Sequence, residues 1–247
     1  MLTGGSTGGW TSLALQVQYP KFFGGAYVLF PDPVDFQRFV LSDIYRDESV
    51  YTVQDHEDRD RDHRFPSQEW GPAERPFRRS VEGQPQVTMR EMSRLESVIA
   101  SRCRSGLQLQ PWQAIFGPVG GDGYPQPLWD EEAGRIDRSV AEHMREQGYD
   151  LSERLRRSWS QIGQDLVGKL HFFCGEMDNY YLNVSLYLLE EFLESTTDPH
   201  YGGSFFYARP KQGHYWAPWT NTELTRILVE HMRARAPAGA ELGWFDG

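Results

Sequence analysis

Residues Gly4-Gly5-Ser6-Thr7-Gly8-Gly9 run straight into an apolar-periodic stretch from Trp10 to Tyr19, and this pairing constrains the fold more than any other feature of the chain. The spacing fits Gly-x-Ser-x-Gly, a sharp strand-to-helix turn whose glycines remove Cβ atoms that would otherwise clash. Such a turn holds the serine hydroxyl clear of the surface. Ser6 is therefore expected to be a nucleophile, with Gly4, Gly8 and Gly9 forming the elbow around it. The competing reading is a glycine-rich, phosphate-binding turn at a helix start, but the Lys that completes a P-loop does not follow here.

The periodicity downstream gives the organisation. Trp10, Leu13, Ala14 and Val17 recur at helical spacing until Pro20 ends the pattern. The run Ala26 to Phe30, closed by Pro31-Asp32-Pro33, reads as a buried parallel strand. The next clear strand, Lys169 to Cys174, follows only after residues 36–166, an interval far longer than a compact α/β connection needs. That interval is expected to be an inserted, lid-like or cap-like region. Its first part, Tyr45 to Gln86, is rich in charge, Pro and Gly and reads as irregular. Its second part reads as helical: Met89, Met92, Leu95, Ile99 and Cys103 share one face, and a further helix is expected within Glu131 to Gln147. Leu151, Leu155, Ile162 and Leu166 share a face behind the capping pair Asp150 and Glu153. Strand and helix then alternate again. A leucine stripe at 182, 186, 189 and 193 follows Gly175-Glu176-Met177-Asp178, and a strand at Ser204 to Ala208 precedes His214. The last helix opens on the capping box Thr220 to Glu223, carries Leu224, Ile227, Leu228 and His231 on one face, and stops before Pro237. The expected division is an α/β core from 1–35 and 167–236, the insertion 36–166, and a flexible tail 237–247.

The chain of 247 residues is 39% hydrophobic, enough for a substantial core in one large or two small domains. With 35 acidic against 25 basic residues and a net charge of −10, it is expected to be repelled by nucleic acid and by anionic membrane surfaces. No apolar run is long enough to span a membrane, and no targeting segment is visible, which leaves the compartment open. Cys103 and Cys174 are too few for a disulfide framework and read as buried thiols. Asp58-Arg59-Asp60-Arg61-Asp62 with Glu69 has the spacing of a calcium loop, but His63 stands where the turn glycine belongs and two arginines oppose a cation. A solvated charged loop is the better reading. No metal or other cofactor is expected.

A serine hydroxyl needs a histidine to take its proton, and the imidazolium needs a carboxylate to orient and stabilise it. Ser6, Asp178 and His214 follow in that order, and each of the last two lies just past the C-terminal end of an expected strand, so that their loops project to one edge of the sheet. Alternatives stand beside each: Asp178 as a helix N-cap with Glu176 as substitute acid, and His214 as a structural loop histidine. His171 and His231 fall inside elements and read as packing residues. Gly5, Tyr180, Tyr181 and Trp216 adjoin the same loops and are candidate pocket residues, together with Trp219. The loop Gly117 to Pro125, flanked by Trp112 and Trp129, reads either as a lid edge or as a turn-rich loop with core-anchoring aromatics.

At Gly-Gly-Ser-Thr-Gly-Gly, Tyr19 to Phe23, Ala26 to Pro33, Gly175-x-x-Asp178 and Gly213-His214, the chain resembles the esterase branch of the α/β-hydrolases that includes esterase D, S-formylglutathione hydrolase and feruloyl-esterase-like proteins. The resemblance covers residues 1–35 and 167–232. It implies the C-terminal part of an α/β-hydrolase fold, with a mostly parallel sheet, flanking helices and a large, partly helical insertion. It also implies a carboxylic ester as substrate, cleaved through an acyl-enzyme, with Ser6 as nucleophile, His214 as general base and then acid, Asp178 as its orienter, and the Thr7 backbone N–H as an oxyanion donor. In that family the elbow follows the fifth strand and a second oxyanion donor comes from a loop after the third. A chain opening at the elbow is thus expected to lack the N-terminal strands, to be a poor esterase by itself and to self-associate through an open sheet edge. The alternatives are an inactive fragment or pseudoenzyme, and a subunit that needs another chain.

Overall fold

The computed structural model describes residues 1–53, 73–101 and 105–243. The calcium-loop-like segment and Cys103 lie outside them. Four parallel strands form the main sheet in the order β1 (Leu2–Ser6), β2 (Ala26–Pro31), β5 (Leu170–Gly175), β6 (Ser204–Ala208). β1 leads directly into α1 (Thr7–Gln18), α5 (Leu151–Leu166) precedes β5, α6 (Leu182–Ser195) joins β5 to β6, and α7 (Asn221–Ala234) follows β6. The protein is therefore α/β, with a parallel sheet flanked by helices.

The sheet forms because β2 and β5 are nearly continuous apolar runs, as a strand covered on both faces requires. Ala26, Val28, Leu29, Leu170, Phe172, Phe173 and Cys174 are buried with Leu13, Ala14 and Val17 of α1 and with Leu186, Leu189 and Leu193 of α6. Leu151, Leu155, Trp159 and Leu166 belong to the same cluster. α5, within the interval expected to be inserted up to residue 166, therefore shares the core of the sheet, against α1 and α6. Beyond the other face, Tyr27 stacks near His171 and Phe173, and Phe173 meets Trp219 with ring centroids 4.5 Å apart. α7 has the expected capping box at Thr220 and Glu223, yet it buries no residue completely.

A second apolar cluster is drawn from residues 36–144 and from Tyr181, with Trp112, Phe116, Leu128, Trp129 and Met144 at its centre. Its elements are β3 (Pro76–Arg79) and β4 (Pro85–Thr88), an antiparallel ribbon, then α2 (Met89–Ile99), α3 (Leu109–Phe116) and α4 (Arg138–Glu146). The ribbon corrects the expectation of an irregular 45–86. The helix expected within 131–147 is confined to α4, because Asp137 caps it by accepting from Ser139 and Val140 N–H.

α2 turns a different face inward from the one the apolar spacing suggested. Leu95 and Ile99 are exposed, whereas Met89, Met92, Ser93 and Glu96 are buried. The reason is Glu96: its carboxylate accepts the backbone N–H groups of Gln108, Leu109 and Gln110 at 2.8 Å each. A buried anion thus satisfies the otherwise unpaired donors at the start of α3. That cap comes from a different helix, so α3 shows no local start signal and its existence was not legible. Of the expected buried thiols, Cys174 is buried, and burial pushes its pKa well above the usual thiol range. The tail is solvent-exposed over most of 237–243.

Candidate active site

Ser6 sits at the β1–α1 junction with φ 56° and ψ −123°, a conformation that a residue with a side chain adopts only at a cost of about 1–3 kcal/mol. Close packing enforces it. A Cβ on Gly4 would lie 2.5 Å from the Gly8 carbonyl, and one on Gly9 would lie 2.7 Å from Leu29 O. Gly8 itself has open space where its Cβ would be, so sterics demand a glycine at 4 and 9 but not at 8. The β1–β2 register slips at the same place: Gly5 pairs with Leu29, but Ser6 pairs with Pro31, leaving Phe30 as an extra, bulged residue. The bulge carries the end of β2 toward the serine. Asp32 N–H donates to Ser6 O at 3.1 Å, and the Asp32 carboxylate accepts from Ser6 Oγ at 3.1 Å and from Thr7 Oγ1 at 2.7 Å.

Asp178 is fully buried in the loop after β5, and its Oδ2 lies 2.7 Å from His214 Nδ1. Its Oδ1 accepts from the backbone N–H of Tyr180 at 2.8 Å and of Leu182 at 3.3 Å, but the N-cap of α6 is Tyr181, so Asp178 is not the helix N-cap of the alternative reading. Glu176 is directed elsewhere, pairing with Arg209 at 3.0 Å. His214 N–H donates to Asn179 Oδ1 at 2.9 Å. Gly175 lets this loop close, because a Cβ there would collide with the Gln212 and Gly213 carbonyls.

The loop of Asp178 is also stitched to β3. Arg79 Nε donates to Asp178 O at 2.9 Å and Nη2 to Asn183 Oδ1 at 3.1 Å, while Asn179 Nδ2 donates to Arg79 O at 2.9 Å. The Arg79 guanidinium lies 4.4 Å from the Tyr181 ring centroid. Sequence reasoning missed Arg79, which sits in the stretch taken as irregular.

Ser6, Thr7, Asp32 and His214 line one cavity of about 410 Å³. Among the recorded hydrogen bonds, Ser6 Oγ donates to Asp32 and not to His214. Tyr180 lines the cavity as expected, with Trp112, Tyr215, Trp10, Phe39, Phe77, Ile115 and Phe116. Three expected pocket residues do not. Gly5 is covered by the Phe30 ring, Tyr181 is rooted in the second apolar cluster, and Trp216 stacks on Phe206 with ring centroids 5.6 Å apart. Trp219 is spent on Phe173, and Trp129 is buried in the second cluster. No residue of the Gly117 to Pro125 loop lines the cavity among the described residues; the wall is α3 instead.

Asp32 was read only as the stop of a strand. The available signal was a carboxylate at the C-terminal end of the strand next to the nucleophile's, where open parallel sheets place their ligands. Among the described residues no group of three or more His, Cys, Asp or Glu side chains is placed to hold a metal ion, and no helix is long and apolar enough to cross a membrane. No protein-family model, curated protein or solved structure matches the chain.

Proposed function

We propose that the protein is a serine hydrolase of the α/β-hydrolase type that cleaves a carboxylic ester through an acyl-enzyme. The observation that carries this reading is a strained Ser6 sharing a cavity with a histidine whose Nδ1 is held by a fully buried carboxylate. With Nδ1–H donating to Asp178, Nε2 is the unprotonated nitrogen and the only one able to accept a proton. Ser6 Oγ, released from Asp32 by rotation about its side-chain bond, gives that proton to His214 Nε2 as it attacks the acyl carbonyl. The Thr7 N–H, at the positive end of α1, faces the developing oxyanion. His214 then protonates the leaving alcohol, and the same nitrogen activates the water that frees the acid.

Side chains from residues 36–149 form one wall of the cavity, which supports reading that unit as a cap over the site. A fluorophosphonate probe followed by peptide mass spectrometry tests the proposal. Covalent modification at Ser6, with aryl-ester turnover lost in Ser6→Ala and in His214→Ala, is expected. Modification elsewhere, or turnover that survives Ser6→Ala, refutes it.

A further inference from the structure

The cavity's charge is one-sided. Among the described residues that line it, Asp32 is the one carboxylate and none is Lys or Arg, while a second negative charge, Asp178, stands behind His214. The rest of the lining is largely aromatic, with Trp10, Trp112, Phe39, Phe77, Tyr180 and Tyr215 contributing rings. A carboxylate among ring faces is the combination that holds an organic cation, because the π-faces are electronegative and the low-dielectric walls reduce screening. An anionic ligand placed beside Asp32 would be repelled by it, compounded by the chain's net charge of −10.

The position of the carboxylate sets where the cation must sit. Asp32 Oδ1 is 3.1 Å from Ser6 Oγ, and a reacting carbonyl carbon lies a further ~3–3.5 Å from that oxygen. A positive group in contact with Asp32 is therefore close to the scissile bond, roughly two to four bonds from the carbonyl carbon. Asp32 accepts one hydrogen bond on each oxygen, from Ser6 and from Thr7, and a carboxylate has lone pairs left for a further partner.

We propose that Asp32 and the aromatic wall select esters bearing an ammonium group beside the scissile carbonyl, an inference that rests on the serine-hydrolase reading of the same cavity. Three thioesters of matched size test it on the full chain: butyrylthiocholine, its uncharged 3,3-dimethylbutyl isostere, and the 2-carboxyethyl thioester, followed by thiol release. The expected kcat/KM is about tenfold or more higher for the cation than for the isostere, and lowest for the anion. In Asp32→Asn the ratio of cation to isostere falls to within about twofold. Because the ratio is taken within each variant, any general loss from disturbing Ser6 cancels. A ratio near one in the wild-type chain, or a ratio that survives Asp32→Asn, overturns the proposal while Ser6-dependent turnover leaves the hydrolase reading standing. Calorimetric titration of the Ser6→Ala chain with choline and with 3,3-dimethylbutan-1-ol decides the binding question apart from chemistry. Preferential, Asp32-dependent binding of choline supports the ammonium site even if no thioester is cleaved and the hydrolase reading falls; equal binding of the two overturns it.

Discussion

The ring of Phe30 meets the ring of His214 edge to face with centroids 4.8 Å apart, and the same Phe30 ring fills the space where a Cβ on Gly5 would stand. One side chain thus links the strand of Ser6 to His214. Gly5→Ala is expected to push Phe30 against His214, lowering stability by about 1–3 kcal/mol and slowing fluorophosphonate labelling of Ser6. Gly5→Ala combined with Phe30→Leu should recover part of both. Labelling of Gly5→Ala at the wild-type rate would mean that the ring transmits nothing.

Asp178→Asn keeps a side-chain oxygen able to accept from the Tyr180 and Leu182 N–H groups but presents His214 with the wrong hydrogen-bonding group, so kcat is expected to fall by about 10⁴ with little change in KM. Arg79→Met removes the stitch to the acid's loop and is expected to cost on the order of tenfold to a hundredfold through misplacement. Glu176→Gln should leave both parameters alone. If Glu176→Gln is the damaging change, the acid has been misidentified.

Ile115 lines the cavity while being 61% exposed, so truncating it tests the cap without emptying a core. Ile115→Ala is expected to raise KM severalfold at unchanged melting temperature. Leu95→Ala, on the exposed side of α2, should alter neither. Trp112→Ala is a different case, since Trp112 is only 8% exposed; it should lower stability by about 3–5 kcal/mol.

Two buried groups tilt stability in opposite directions with pH. Burial, with His231 and Arg235 nearby, pushes the His171 pKa down to about 4, against 6.5 for an ordinary histidine. Between these values the unfolded chain binds the proton and the folded chain does not, so this term weakens the fold as pH falls. Burial beside Asp35 raises Asp150 to about 7, so there the folded chain holds the extra proton and the fold weakens as pH rises toward that value. Urea midpoints measured from pH 4.5 to 7.5 should therefore slope upward with pH more steeply in Asp150→Asn than in the wild type, and less steeply in His171→Gln. Identical slopes in all three chains would refute both assignments.

Where the packing signal is local, the elements were legible. The leucine stripe of α6, the capping box of α7 and the runs of β2 and β5 all stand where period and punctuation put them. That Ser6, Asp178 and His214 stand at or beyond the C-terminal ends of parallel strands was legible for a related reason. What escaped depends on partners distant in sequence. The start of α3 is capped by Glu96, the inward face of α2 is set by that same carboxylate, and Arg79 matters only because Asp178 to Asn183 comes to lie beside it. Tyr180 and Tyr181 are adjacent and chemically alike, yet one lines the cavity and the other does not. Tyr181 is in the left-handed region at φ 60°, which turns its ring into the second cluster, and residue type does not encode that.

The joint between Arg79 and the loop of Asp178 has a consequence for how such a chain matures. The serine's turn takes its strained shape against β2, which follows it closely in the chain, through the Leu29 carbonyl beside Gly9 and the Asp32 N–H. The loop of Asp178 lies far downstream, and Arg79 of the ribbon ties it to the second core. In a chain whose Asp178 loop has not yet met the ribbon, Ser6 stands without a positioned His214, so under the proposed mechanism reactivity waits until both cores have closed on the same short loop.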